Sequence, residues 1–165
     1  SDSKTGALII FERGVALNSI ISTGTVINAD TTAELLKNMF FNKAPLHDGA
    51  VIIRDGRIAA AGCVLPLTQR TNLSKDLGMR HRAGIGLSEE SDAVIIVVSE
   101  ETGAISVAMD GMLKRHLSGE ALDKLLRSEL TREDDSTEKH SFMDNIRNFF
   151  KVNANVDEKQ DEENL

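Results

Sequence analysis

The 165-residue chain has a formal net charge of −7, of which ten acids against five bases fall in residues 131–165 and sixteen against fourteen in residues 1–130. A nearly neutral body of this length suits a single domain and argues against a general nucleic-acid binder, which needs a basic surface to meet phosphates. With six Phe, no Trp, no Tyr and one Cys, the core must come from Val, Ile, Leu, Ala and Met, and no intrachain disulfide can form.

In chain order, residues 7–11 (ALIIF) are a short apolar run rich in β-branched residues, read as a buried strand. The uncharged stretch 14–29 is interrupted by Asn, Ser, Thr and Gly. It falls short of the roughly 20 mostly apolar residues that a spanning helix needs, and no signal peptide is evident. A second short strand is expected at 25–28. Thr31 with Glu34 three residues on reads as a capping box opening a helix to 42, with Leu35, Leu36, Met39 and Phe40 at helical spacing.

Residues 49–53 and 57–65 read as strands joined by the tight turn Asp55-Gly56. Residues 66–78 are a polar loop, and 79–87 a short helix. The clearest buried strand is 93–99 (AVIIVVS), with a turn at Thr102-Gly103 and a return strand at 104–109. Asp110-Gly111 reads as a strand-ending turn. A helix is expected from Ser118 to about 130, with Leu122, Leu125 and Leu126 on one face. Residues 131–141 read as a charged linker. Phe142, Ile146, Phe149 and Phe150 mark a short amphipathic segment, and 153–165 have a disordered composition. The division is thus a domain at 1–130 and an acidic linker and tail at 131–165. Strands alternating with helices, with hairpins mixed in, imply an α/β fold on a mixed sheet.

Three clusters could carry chemistry. His47-Asp48-Gly49-Ala50 enters a strand; a carboxylate there can deprotonate a hydroxyl or hold a cation, while Asp-Gly is equally a common turn pair. Gly78-Met79-Arg80-His81-Arg82-Ala83 sets two guanidinium groups and an imidazole near a helix start, suited to phosphate oxygens or, alternatively, to a solvated basic face paired with Glu89 and Glu90. Ser99-Glu100-Glu101 follows the strongest strand, where carboxylates reach the sheet edge or form a solvated turn. One of these carboxylates could complete a metal site with His47. His116 and His140 read as surface residues and Cys63 as core, since nothing near it lowers its pKa. There is no Walker loop and no Rossmann fingerprint.

Together these residues resemble one family. Asp48-Gly49-Ala50 followed by Arg80-His81-Arg82, flanked by Lys43-Ala44-Pro45-Leu46-His47 and by Gly84-Ile85-Gly86-Leu87-Ser88-Glu89, is similar to the paired signature of the diadenylate cyclase (DAC) domain, over residues 5–130. The nearest subtype is the membrane-anchored cyclase of Gram-positive bacteria. The resemblance implies a twisted mixed sheet flanked by helices on both sides, and condensation of two ATP into cyclic di-AMP at the interface of a two-fold dimer. It implies that Asp48 sits beside the reacting hydroxyl, that Arg80, His81 and Arg82 hold the phosphates, and that Gly49 and Ala50 line the pocket. Leu65 would meet adenine and Ser99 a phosphate, while His47, Asp48 and Glu101 would ligate a divalent metal, Mn or Mg with Co as a further possibility. Met79 stands where many members carry Thr, and it cannot donate the hydroxyl hydrogen bond that Thr would give a phosphate.

The implied partners are ATP, a second copy of the chain, a membrane regulator and phosphoglucosamine mutase, with no nucleic acid. The preceding membrane helices of that subtype are absent from these residues, so the chain is expected to be a soluble piece of a membrane-anchored protein with its catalytic domain in the cytoplasm. The alternatives are a nucleotide-binding regulatory module without turnover and a metal-dependent phosphohydrolase.

Overall fold

A computed structural model describes residues 5–130 and 142–151. The expected linker at 131–141, the tail at 153–165 and His140 lie outside them. The chain order is β1 (Ala7–Phe11), α1 (Asn18–Ile21), β2 (Thr25–Asp30), α2 (Ala33–Phe40), β3 (Ala50–Arg54), β4 (Arg57–Cys63), α3 (Met79–Glu90), β5 (Val94–Val98), β6 (Ile105–Met109), β7 (Met112–Leu117) and α4 (Gly119–Leu130), followed by a helix over residues 142–151, here α5.

One seven-stranded sheet has the order β2-β4-β3-β1-β5-β6-β7. Only β1 and β3 run parallel; every other pairing is antiparallel, so the sheet is mixed. Alternation along the strands separates two cores. Ile9, Val51, Ile53, Val94, Ile96 and Val98 face one side with Leu36, Phe40, Leu122 and Leu126. Leu8, Ile10, Ile52, Ile95 and Val97 face the other with Ala83 and Leu87. Helices α2, α4 and α5 therefore cover one face, and α1 and α3 the other. The short amphipathic segment is part of the first core: Met143, Ile146, Phe149 and Phe150 are buried there, and Phe142 packs edge-on against Phe11 with ring centroids 5.8 Å apart.

Local chemistry explains most of the boundaries. Asp55 and Gly56 both have positive φ, as do Asp110 and Gly111, the requirement of the hairpin turn whose twist matches the flanking strands. The second pair therefore reverses the chain into β7, a strand the sequence reading does not contain; its residues are half-buried or exposed and lack an apolar run. The reading also lacks the four-residue α1. The start of α2 differs by one residue. Thr32 is the N-cap, its hydroxyl accepting from the Leu35 N–H, while the Thr31 hydroxyl donates to the Gly56 carbonyl. Position N3 is then Leu35, and the reciprocal carboxylate arm of a capping box is missing. Ser118 does cap α4 by accepting from Ala121 N–H.

Helix α3 lies close against both the sheet and the loop before it. A Cβ at Gly86 would stand 2.7 Å from the Thr68 nitrogen and collide with the Pro66 carbonyl. Glycine costs about 1 kcal/mol in a helix interior, which this close approach offsets. Gly86→Ala is expected to destabilise the fold by about 1–3 kcal/mol through overpacking, despite the better helix former. A thermal midpoint unchanged or raised in Gly86→Ala would contradict the contact.

Candidate active site

The strand pairing collects the three sequence clusters on one edge of the sheet. Ile9 is opposite Val51 in the parallel pair, so two residues back Ala7 stands level with Gly49. Ala7 is also opposite Val98, which sets Ser99 beside Gly6, and Ala50 is opposite Cys63, which brings Leu65 to the same end. The amino ends of β1 and β3 thus share this edge with the carboxyl ends of β4 and β5.

Here the amino end of α3 arrives. A cleft of about 60 Å³ is lined by Asp76, Gly78, Arg80, His81, Val98, Ser99, Glu100 and Glu101. Arg80 is held by an ion pair from its Nη1 to Glu100 Oε2 at 2.9 Å, and its Nε is buried without a partner among the described residues. The guanidinium lies over the backbone of Gly6, where a Cβ would be 2.7 Å from Nη1 and 2.9 Å from Glu100 Cβ. Gly78 caps α3 with no side-chain bond, and Gly78, Arg80 and His81 bring this end of the helix to the cleft, the kind of terminus that suits an anion. Ser99 closes the turn after β5. Its hydroxyl oxygen accepts from the N–H groups of Glu101 and Thr102, which leaves its proton free to donate.

Arg82 does not line the cleft; two residues along a helix point in different directions. Met79 is 64% exposed beside Arg80. Ala50 and Leu65 are buried in the α1/α3 core, so Ala50 offers a ligand no side-chain surface. Gly49 has φ +111° and presses on β4, with Gly62 carbonyl carbon 2.8 Å from where a Cβ would stand, so the Asp-Gly pair shapes the backbone as well as presenting a carboxylate. Asp48 is exposed and His47 half-buried. His47 Nδ1 lies 2.7 Å from the Ala44 carbonyl; a carbonyl only accepts, so Nδ1 donates, and in the neutral ring Nε2 is then the acceptor. Among the described residues no three His, Cys, Asp or Glu side chains form a group able to hold a metal ion, so His47, Asp48 and Glu101 are not gathered into a three-ligand site.

Residues 1–113 match the family described as DAC, DisA bacterial checkpoint controller nucleotide-binding. The chain belongs to this family. It is 48% identical over 129 residues to cyclic di-AMP synthase CdaA of Bacillus subtilis, covering 78% of this chain and 47% of that protein. It is 53% identical over 113 residues to diadenylate cyclase CdaS of Bacillus thuringiensis, covering 68% of this chain and 56% of that one. The chain thus spans about half the length of these curated relatives. The crystal structure of DacA from Staphylococcus aureus, a double mutant, superposes with a TM-score of 0.75 at 48% identity, over 76% of this chain and 84% of that one.

Within this DAC domain the sequence reading named Glu100 but not its pairing with Arg80, and it missed Asp76, Arg115 and Gly6. Asp76 and Arg115 flank His81, Arg115 coming from β7. Gly6 precedes an apolar run and carries no local signal of its packing role. Cys63 behaves as core: burial raises its thiol to about 11.

His81 is 7% exposed. Burial lowers its pKa below the ordinary 6.5, the Arg115 charge lowers it further, and the Asp76 charge opposes both. The unfolded state therefore binds a proton more readily than the folded one, and folding stability falls as pH drops below about 6.5. His81→Gln is expected to lose less stability than the wild type between pH 7 and pH 5. Parallel denaturant midpoints for the two proteins across that range would show that His81 is not buried neutral.

Proposed function

We propose that this chain is the catalytic domain of a diadenylate cyclase, condensing two ATP into cyclic di-AMP with release of two pyrophosphates. The observation that carries this reading is the meeting, on one sheet edge, of the Asp48-Gly49 turn with the uncapped end of α3 that bears Arg80 and His81. The names of its relatives, cyclic di-AMP synthase and diadenylate cyclase, support the product. The catalytic unit occupies residues 1–130.

In this reading the α3 amino end, Arg80, His81 and the Ser99 hydroxyl hold the triphosphate, with Arg82 and Met79 at its margin. Gly49 and the backbones of Ala50 and Leu65 bound the nucleoside. Asp48, exposed beside this pocket, accepts the proton of a ribose 3′-hydroxyl. That oxygen bonds to the α-phosphorus of the second ATP as the bond to pyrophosphate breaks. Arg80 offsets charge on the phosphates as they leave. The same exchange in the other direction closes the ring.

His47, through the Nε2 of its neutral ring, and Asp48 suit a divalent cation that takes its remaining ligands from nucleotide phosphates. Manganese, magnesium or cobalt bound there would supply Lewis acidity and neutralise phosphate charge. Each domain offers one Asp48 and one Arg80, and the chemistry is reciprocal, so the active unit is a two-fold dimer that places each hydroxyl in line with the other α-phosphate.

No helix among the described residues is long and apolar enough to cross a membrane. One similar structure, 51% identical with a TM-score of 0.67, is described as a hypothetical membrane spanning protein from Bacillus cereus. We propose that the anchor of this protein lies outside the catalytic domain, with a membrane regulator and phosphoglucosamine mutase as partners.

Asp48→Asn keeps shape and removes the base. It is expected to lower cyclic di-AMP formation, followed by product mass, by about 10²–10⁴-fold while ATP still binds. Half of wild-type turnover in Asp48→Asn would remove Asp48 from the mechanism. Specific activity should also rise with protein concentration over a hundredfold dilution series. A flat profile from a monomer would leave a single-nucleotide reaction.

A further inference from the structure

Between β4 and α3 the chain crosses residues 64–78 with no regular secondary structure, yet this loop delivers the end of α3 to the cleft. Its first half is fastened to the helix body, where Thr68 N–H donates to the Arg82 carbonyl and the Thr68 hydroxyl donates to Glu89. From Arg70 on it is fastened elsewhere, to the β6–β7 hairpin. Arg70 Nη1 donates to the Gly111 carbonyl at 2.7 Å, and Arg115 Nη2 donates to Asp76 Oδ2 at 2.8 Å. The other Asp76 oxygen accepts from the Ser74 hydroxyl. These two hydrogen bonds hold the Asp76 carboxyl well below the usual carboxylate range.

Asp76 stands two residues before Gly78, which has no side chain to cap the helix and no neighbour within 4 Å of where one would begin. The N-cap therefore holds this end only through its backbone carbonyl, which accepts from Arg82 N–H, and through no side chain. Asp76 lines the cleft with Arg80 and His81, and Arg115 comes to it from the outermost strand of the sheet. We infer that Asp76 and Arg115 are positioning residues for the phosphate site: their ion pair ties the loop to β7 and so fixes the uncapped end of α3 that carries Arg80 and His81. Both side chains are partly exposed, 59% for Asp76 and 34% for Arg115. Such a pair adds little to global stability, so its effect falls on the local placement of the helix end. This inference rests on the nucleotide site proposed above.

Charge alone and positioning make opposite predictions. If Arg115 merely attracts an anionic ligand, removing Asp76 should tighten binding. If the pair positions the helix end, removing either member weakens binding. The probe is 3′-deoxy-ATP, which has the full triphosphate but no attacking hydroxyl, titrated by calorimetry into the 165-residue chain with magnesium present. Asp76→Asn keeps side-chain size, and Arg115→Gln removes the charge while keeping a polar, hydrogen-bonding side chain. Each is expected to weaken binding about tenfold, the worth of one charge-assisted hydrogen bond, with thermal midpoints near that of the wild type. The double variant should be no weaker than the worse single one, since one interaction is lost only once. The exchange Asp76→Arg with Arg115→Asp should recover part of the affinity, a recovery that damage to folding would not give.

Tighter binding in Asp76→Asn, or additive losses in the double variant, would overturn the positioning role. Wild-type protein that fails to bind 3′-deoxy-ATP at all would instead sink the nucleotide site itself, and the two failures are thereby distinguished.

Discussion

Three adjacent strands, β3, β1 and β5, are apolar on both faces and form the centre of the sheet, and the remaining architecture follows from that burial. A strand with no polar face must be covered on both sides, which recruits α2, α4 and α5 to one face and α1 and α3 to the other. Because β1 runs parallel to β3 and antiparallel to β5, two strand beginnings and one strand end reach the same edge. Residues separated by about fifty positions along the chain meet there without any direct attraction between them.

The relative strengths of the interactions explain this division of labour. Burying one Ile or Val side chain contributes about 1.5–3 kcal/mol, and Ile9, Ile10, Ile52, Ile95 and Ile96 are all completely buried. An exposed ion pair contributes about 0–1 kcal/mol. The sheet therefore sets where the edge lies, and pairs such as Arg80 with Glu100 and Arg115 with Asp76 only orient groups upon it. Small residues make room at that edge: Gly6 under the Arg80 guanidinium and Gly49 against the end of β4.

Much of this was legible in the sequence. The runs at 7–11 and 93–99 could only be buried strands, Asp55-Gly56 could only reverse the chain sharply, and the order of Asp48-Gly49-Ala50 and Arg80-His81-Arg82 pointed to a family that the match over residues 1–113 bears out. Local composition is enough for these features, because burial and turn geometry are written in neighbouring residues. Edge strand β7 escaped because a half-exposed strand needs no apolar pattern, and α1 because four residues are too few to show a period.

Chemical type, too, was settled by the sequence: which residues are cationic, which are acidic and which can turn the backbone. Which of them meet was decided by tertiary structure alone. Arg80 and His81 share a cleft with Ser99 and Glu101 while Arg82 faces elsewhere, because helical geometry rotates successive side chains apart. Arg115 reaches Asp76 across 39 positions because β7 is laid beside β6 by a hairpin. Such contacts depend on sheet register and helix placement, which arise from the packing of the whole core and are encoded in no single stretch of chain.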